Sequence, residues 1–175
     1  MIASQNSPYS VNGFTLIELV VVIIIVAILT VIAVPKFINL SSDAHLATMK
    51  GVAAAMQSAK TLVYSACVIS RDCDQTAPIA TGNGLGNSLE AQGEKITLAF
   101  GYPRHSEAGI ARAINIKDNA NGGEFNITTF SSGGQVAGLR IRPNADYAAN
   151  KCEVRYSQPQ AAGAAPIIVV EVNGC

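Results

Sequence analysis

The chain has 175 residues, and its 12 Lys and Arg balance its 12 Asp and Glu to a formal net charge of zero. No basic excess marks nucleic acid as a main partner, so none is expected. At this length there is room for one membrane helix and one compact domain of roughly 110 residues.

Residues 14–34 (FTLIELVVVIIIVAILTVIAV) form an apolar run whose only charge is Glu18. At ~1.5 Å per residue a helix of this length spans about 31 Å, close to the ~30 Å hydrocarbon core of a bilayer. A charge inside that span costs a few kcal/mol unless something offsets it, which makes Glu18 a functional residue in need of a partner. A simple signal anchor is the plainer reading of such a run. A secretory signal peptide, however, carries a shorter apolar core with its small-residue cleavage site after it. Here Gly13 stands before the run. Pro35 stands directly after it, where proline removes a helical hydrogen bond and kinks or locally unwinds the chain.

The pattern beyond stays helical. Met49, Val52, Met56, Ala59, Val63 and Ala66 recur at three- and four-residue steps, while Lys50, Gln57, Ser58, Lys60 and Thr61 fall off that stripe. This predicts an amphipathic helix needing a sheet or a neighbouring helix over one face. Ser41-Ser42-Asp43 is a candidate interruption or new cap, and Gly51 weakens the expectation of one unbroken helix.

Residues 74–92 are rich in Gly, Asn, Ser and Thr and read as a long surface connection. Strand chemistry follows at residues 96–100, 125–130, 136–142 and 152–156. A fifth candidate, residues 167–172, is continuously apolar and predicts a strand buried on both faces. Gly122-Gly123 and Gly133-Gly134 supply turns, and residues 107–115 read as a short helix. A long helix followed by clustered strands predicts an α+β fold, with an antiparallel sheet of about four strands against the second half of the helix.

Four cysteines, Cys67, Cys73, Cys152 and Cys175, accompany an export-like segment, which predicts an oxidising compartment and two disulfides. Three connectivities are possible. Cys67–Cys73 with Cys152–Cys175 is preferred, since the first pair is close in sequence and the second staples the last strand to an earlier one. A zinc site lacks nearby histidines and a Cys-x-x-Cys pair. His45 reads as a solvated residue on the polar side of the helix, and His105, beside Arg104 and Glu107, as an ordinary surface residue. Neither has a nucleophile signature near it, so no catalytic residue is expected. Asp118-Asn119-Ala120-Asn121-Gly122-Gly123-Glu124 has oxygen ligands but not the EF-hand spacing, and reads as an exposed turn rather than a calcium site.

The block Gly13-Phe14-Thr15-Leu16-Ile17-Glu18-Leu19, with Pro35, resembles the processing motif of type IV prepilins. The resemblance implies that a membrane peptidase cuts after Gly13 and methylates the new amine of Phe14. It also implies that Glu18 of an incoming protomer neutralises the Phe14 amine of a neighbour, and that the helix loosens near Pro35 during assembly. The implied organisation is a cleaved leader (residues 1–13), a membrane and filament-core helix (14–35), the amphipathic second half of that helix (36–66) and a globular head with a β-sheet (67–175). Residues 1–12 contain no Lys or Arg, so the orientation rests on the resemblance and not on flanking charge.

Ala33-Val34-Pro35-Lys36-Phe37-Ile38-Asn39-Leu40, Phe100-Gly101-Tyr102-Pro103, and the ending from Cys152-Glu153-Val154-Arg155-Tyr156 to Val172-Asn173-Gly174-Cys175 resemble the mannose-sensitive haemagglutinin (MSHA) type pilins. The implied protein is no enzyme and needs no cofactor or metal. It is a structural subunit, the major pilin, that passes from the inner membrane into an extracellular pilus (fimbrium) for surface attachment and biofilm. Its partners are copies of itself, the prepilin peptidase and assembly machinery, and a host or environmental surface. A pseudopilin or minor pilin of a secretion or DNA-uptake system is the alternative.

Overall fold

The computed structural model describes residues 13–71, 73–78, 87–91, 93–131, 137–148 and 151–175. The expected leader (except Gly13), much of the 74–92 connection and the Gly133-Gly134 turn lie outside the described residues. The chain divides into two units, residues 1–41 and residues 42–175.

Helix α1 covers Leu16–Ile69 and enters both units. In the first unit no residue of Leu16–Val34 is buried. Pro35 lies inside α1, where, lacking an N–H, it cannot bond the carbonyl of Val31. Ser41, Ser42 and Asp43 are exposed and helical, so they neither interrupt nor recap α1. Gly51 does not break it either. Once a helix is nucleated each further residue adds a hydrogen bond, and the ~1 kcal/mol cost of one glycine is small against the packing around it.

The second unit is the head. Its main sheet is a four-stranded antiparallel meander in the order β4 (Asn126–Phe130), β5 (Gly138–Arg142), β6 (Glu153–Ser157) and β7 (Ile167–Glu171). Alternation along β5 and β6 turns Leu139, Ile141, Val154 and Tyr156 onto the buried face, where they meet Met49, Val52, Ala53, Met56 and Ala59 of α1. This is the expected α+β arrangement, and the helical stripe reads onto the core from Met49 to Val63, whereas Ala66 is only half-buried.

Three local expectations are corrected. Residues 96–100 do not join the main sheet. They fall largely in β2 (Glu94–Ala99), the centre of a separate three-stranded sheet with β1 (Ser88–Ala91) and β3 (Tyr102–Pro103). Ile96 and Leu98 of β2 pack on Val63 and Cys67, near the end of α1. The final strand is not buried on both faces. β7 pairs only with β6, and its Ile167 is 55% exposed. Burial on both faces needs an element packed over each, and whereas α1 packs against one face of this sheet, Ile167 and Val169 on the other face stay exposed. Residues 107–115 are helical only briefly, as a π-helical turn, Glu107–Ala111, running into Arg112 and Ala113.

The β2–β3 hairpin turns through Phe100 and Gly101, both at positive φ (52° and 82°). A two-residue loop of this kind matches the twist of its strands, at the cost of holding Phe100 where glycine or asparagine is preferred.

Candidate functional site

At the start of α1 the backbone of Gly13, Phe14 and Thr15 is not helical, and Phe14 is 84% exposed. Thr15 is the N-cap: its Oγ1 accepts from the Glu18 N–H at 3.3 Å, and its carbonyl accepts from the Leu19 N–H at 3.3 Å. Thr15-x-x-Glu18 has the spacing of a capping box, a signal present in the sequence that motif reading passed over. The Glu18 carboxylate therefore sits in the first turn, at the positive end of the helix dipole, where a negative charge is favoured. A Cβ built on Gly13 would meet nothing within 4 Å, so packing does not demand glycine there. From Leu16 to Val34 the helix presents exposed apolar side chains on every side, a surface that water does not tolerate and that lipid or like helices cover. Glu18, Phe14 and Pro35 thus occupy one segment, with Pro35 well down the helix from the other two.

The cysteines pair as Cys67–Cys73, six residues apart, and Cys152–Cys175, 23 residues apart. The first joins the end of α1 to the following connection. The second brings the C-terminal residue to the start of β6, beside the helical core.

The histidines are not simply solvated. His45 is half-buried, its ring edge-on to Tyr147 with centroids 5.2 Å apart. His105 is half-buried, and its backbone N–H and ring Nδ1 both donate to Gln158 Oε1, the latter at 2.7 Å. Burial lowers the His105 pKa below its usual value, the Gln158 hydrogen bond opposes this, and Arg104 adds to the lowering. Asp118 spends its carboxylate on backbone, accepting from the Ala120 N–H of its own turn (2.9 Å) and from the Ile127 N–H of β4 (2.6 Å). Among the described residues no three His, Cys, Asp or Glu side chains converge to hold a metal.

Two positioning residues escaped the sequence reading. Buried Asn87, at φ 48°, accepts from the Asp74 N–H and donates to the Ala77 carbonyl, both at 2.8 Å. It ties the connection after α1 to β1. Buried Tyr156 donates its hydroxyl to the Pro103 carbonyl at 2.6 Å, linking the two sheets. Neither carries a local pattern, because both partners are distant in sequence.

Residues 9–34 match the family model of the prokaryotic N-terminal methylation motif. The chain is 36% identical over 113 residues to the type IV narrow pilus major component PilA5 of Thermus thermophilus, covering 62% of this chain and 97% of that protein. No solved structure matches the chain.

Proposed function

The chain belongs to the type IV pilins, a structural family, and on that premise we propose that it is the major subunit of an MSHA-like adhesive pilus. The coarser reading, a membrane-anchored subunit of an extracellular pilus, follows from the family and from the apolar helix. The observation that carries the proposal is the exposed apolar stretch of α1, which opens on an unwound Gly13-Phe14-Thr15 with Glu18 in its first turn.

In this reading, residues 1–13 are removed after Gly13, and the Phe14 amine becomes a methylated cation at the head of the helix. The free subunit holds residues 14–35 in the inner membrane. On docking, that surface leaves lipid for the equivalent helices of other copies. In a low-dielectric bundle, Glu18 of one copy and the Phe14 amine of a neighbour are each costly alone and favourable together. Pro35, with its missing hydrogen bond, gives the helix a place to unwind as it packs. The head, residues 67–175 with the packed second half of the helix, is displayed for attachment to a host or environmental surface. The MSHA branch is supported by the residues around Pro35, by Phe100-Gly101-Tyr102-Pro103 and by the ending from Cys152 to Cys175. The relative from Thermus is described as the major component of a narrow pilus, and the same rank is inferred here.

Electron microscopy of fibres sheared from cells, with mass spectrometry of their subunits, tests the proposal. Fibres built mainly of this chain and lost on its deletion are expected. Intact fibres in the deletion strain, with this chain confined to the membrane, would instead make it a pseudopilin or minor subunit.

A further inference from the structure

The face of the main sheet opposite the core is built around arginine. The register sets Arg140 of β5 directly across from Arg155 of β6, an arrangement of like charges that disfavours pairing unless it is offset. Glu153 offsets it. Its carboxylate is nearly inaccessible and meets Arg140 Nε at 3.1 Å, Arg155 Nε at 3.6 Å and Arg142 Nη2 at 2.9 Å. Arg155 also pairs with Glu171. Three arginines thus face two glutamates, which leaves one positive charge in excess.

The excess is localised at Arg140. Arg142 adds to its ion pair a hydrogen bond from Nε to Glu153, and Arg155 is held between two carboxylates. Among the described residues Arg140 makes one ion pair, and its Nε, though buried, makes no aligned hydrogen bond. Its two terminal nitrogens donate to no described residue. A guanidinium carries five N–H donors in a rigid fork. This one is nonetheless held in place: its central carbon lies 5.2 Å from the centroid of the Phe130 ring. That ring lies so close to Gly138 that a Cβ there would come within 2.5 Å of Phe130 Cζ and of the Tyr156 carbonyl. Glycine at 138 is what lets the ring lie there. The Arg140 side chain keeps 27% of its surface open to solvent, and Thr128 stands across from it on β4.

We infer that Arg140 anchors an oxyanion site on the outer face of the sheet, taking a carboxylate or sulfate group borne on an acidic polysaccharide. A pre-oriented, net-positive guanidinium with unfilled donors is the chemistry that binds planar or tetrahedral oxyanions in bidentate fashion. The site itself is independent of the assignment as a pilus. The preference for a polymer-borne anion over a free one rests on that assignment, because a fibre repeats the site and one excess charge gains affinity chiefly by repetition.

The full chain in detergent micelles, with ¹⁵N-labelled arginine, is titrated with sulfate and, separately, with chloride at matched ionic strength. Sulfate is expected to shift the Arg140 Nε resonance saturably, and chloride is not. Arg140→Gln is expected to weaken sulfate binding at least about tenfold, Arg140→Lys to weaken it less, and Arg112→Gln to leave it unchanged. If Arg140→Gln fails to fold, the wild-type sulfate and chloride titrations decide alone, and the absence of a saturable sulfate shift overturns the site. Sheared fibres are then tested with oligogalacturonate. Tighter binding per carboxylate to fibres than to micellar subunits supports the polymer-borne ligand. Equal binding overturns that choice while the sulfate result still upholds the site.

Discussion

Glu18 and Tyr156 are polar groups in apolar surroundings, and each is expected to fail differently when removed. Glu18→Val makes the membrane segment more apolar, so insertion and cleavage are expected to continue, but on the proposed pairing a docked subunit then buries an unpaired Phe14 amine. Leaving one partner of a buried pair alone costs about 3–5 kcal/mol. Immunoblots of sheared fibres against membrane fractions are expected to show the subunit held in the membrane. Wild-type fibre yield in a strain with no other pilin would remove Glu18 as the assembly determinant. Tyr156→Phe keeps the ring in the core but strips the Pro103 carbonyl of its donor. The loss is expected at about 1–3 kcal/mol, read as a lower unfolding midpoint of the head. Burial pushes the Tyr156 phenol well above its ordinary pKa, so the hydrogen bond persists through mildly alkaline pH. His105 acts in the opposite pH range. Its folded pKa lies below the unfolded value, so the unfolded chain takes up protons first on acidification. Its contribution to stability is therefore complete above about pH 6.5 and declines as pH falls toward the folded pKa. In His105→Asn the acid slope of the unfolding midpoint is expected to flatten between pH 6.5 and pH 5. An unchanged slope would show that His105 does not set it.

At the scale of elements, the ending of the chain depends on one covalent link. β7 has a partner on one side only and exposes Ile167, Val169 and Val170. Beyond it, the chain terminus is fixed to the start of β6 by Cys152–Cys175. Closing a loop of this length lowers the entropy of the unfolded chain by an amount worth about 3 kcal/mol at 25 °C. Cys152→Ala, with Cys175→Ala to avoid a free thiol, is expected to lower head stability by roughly 2–5 kcal/mol and to reduce surface fibres. Chemical denaturation of the double variant measures it, and a midpoint equal to wild type would show that β7 holds without the link. The three-stranded sheet is anchored otherwise, through Cys67–Cys73 and the Asn87 hydrogen bonds.

For the molecule as a whole, the decisive event is processing. Among the described residues Gly13 has open space where a side chain would stand, so folding does not explain the glycine, whereas recognition by a peptidase would. The extracellular protein is expected to begin at Phe14 with a methylated amine. Intact-mass measurement decides this, and an extracellular chain that retains Met1 to Gly13 would contradict the proposed processing. The match to the methylation motif covers residues 9–34, the same stretch in which apolar length, a lone charge and a preceding glycine coincide.

That coincidence is why the N-terminal segment was legible from the sequence alone. A bilayer-length run, a glycine and a carboxylate are local features, and local chemistry writes itself into adjacent residues. The stripe from Met49 to Val63 was legible for the same reason, since the helical period repeats within one element. Strand chemistry likewise marked most strands. Which strands share a sheet was not legible, because hydrogen-bonded neighbours are chosen by packing and not by sequence distance. Residues 96–100 left the main sheet in this way, and the apolar run of β7 proved to be an edge. The arginine face was equally hidden. Nothing local marks Arg140, Arg142, Glu153 and Arg155 as a group; the register that sets Arg140 against Arg155 does. Sequence by itself determined the class of protein and marked its bilayer-length N-terminal helix. Tertiary structure alone decided which distant side chains meet, because those contacts depend on pairings between elements that no local pattern specifies.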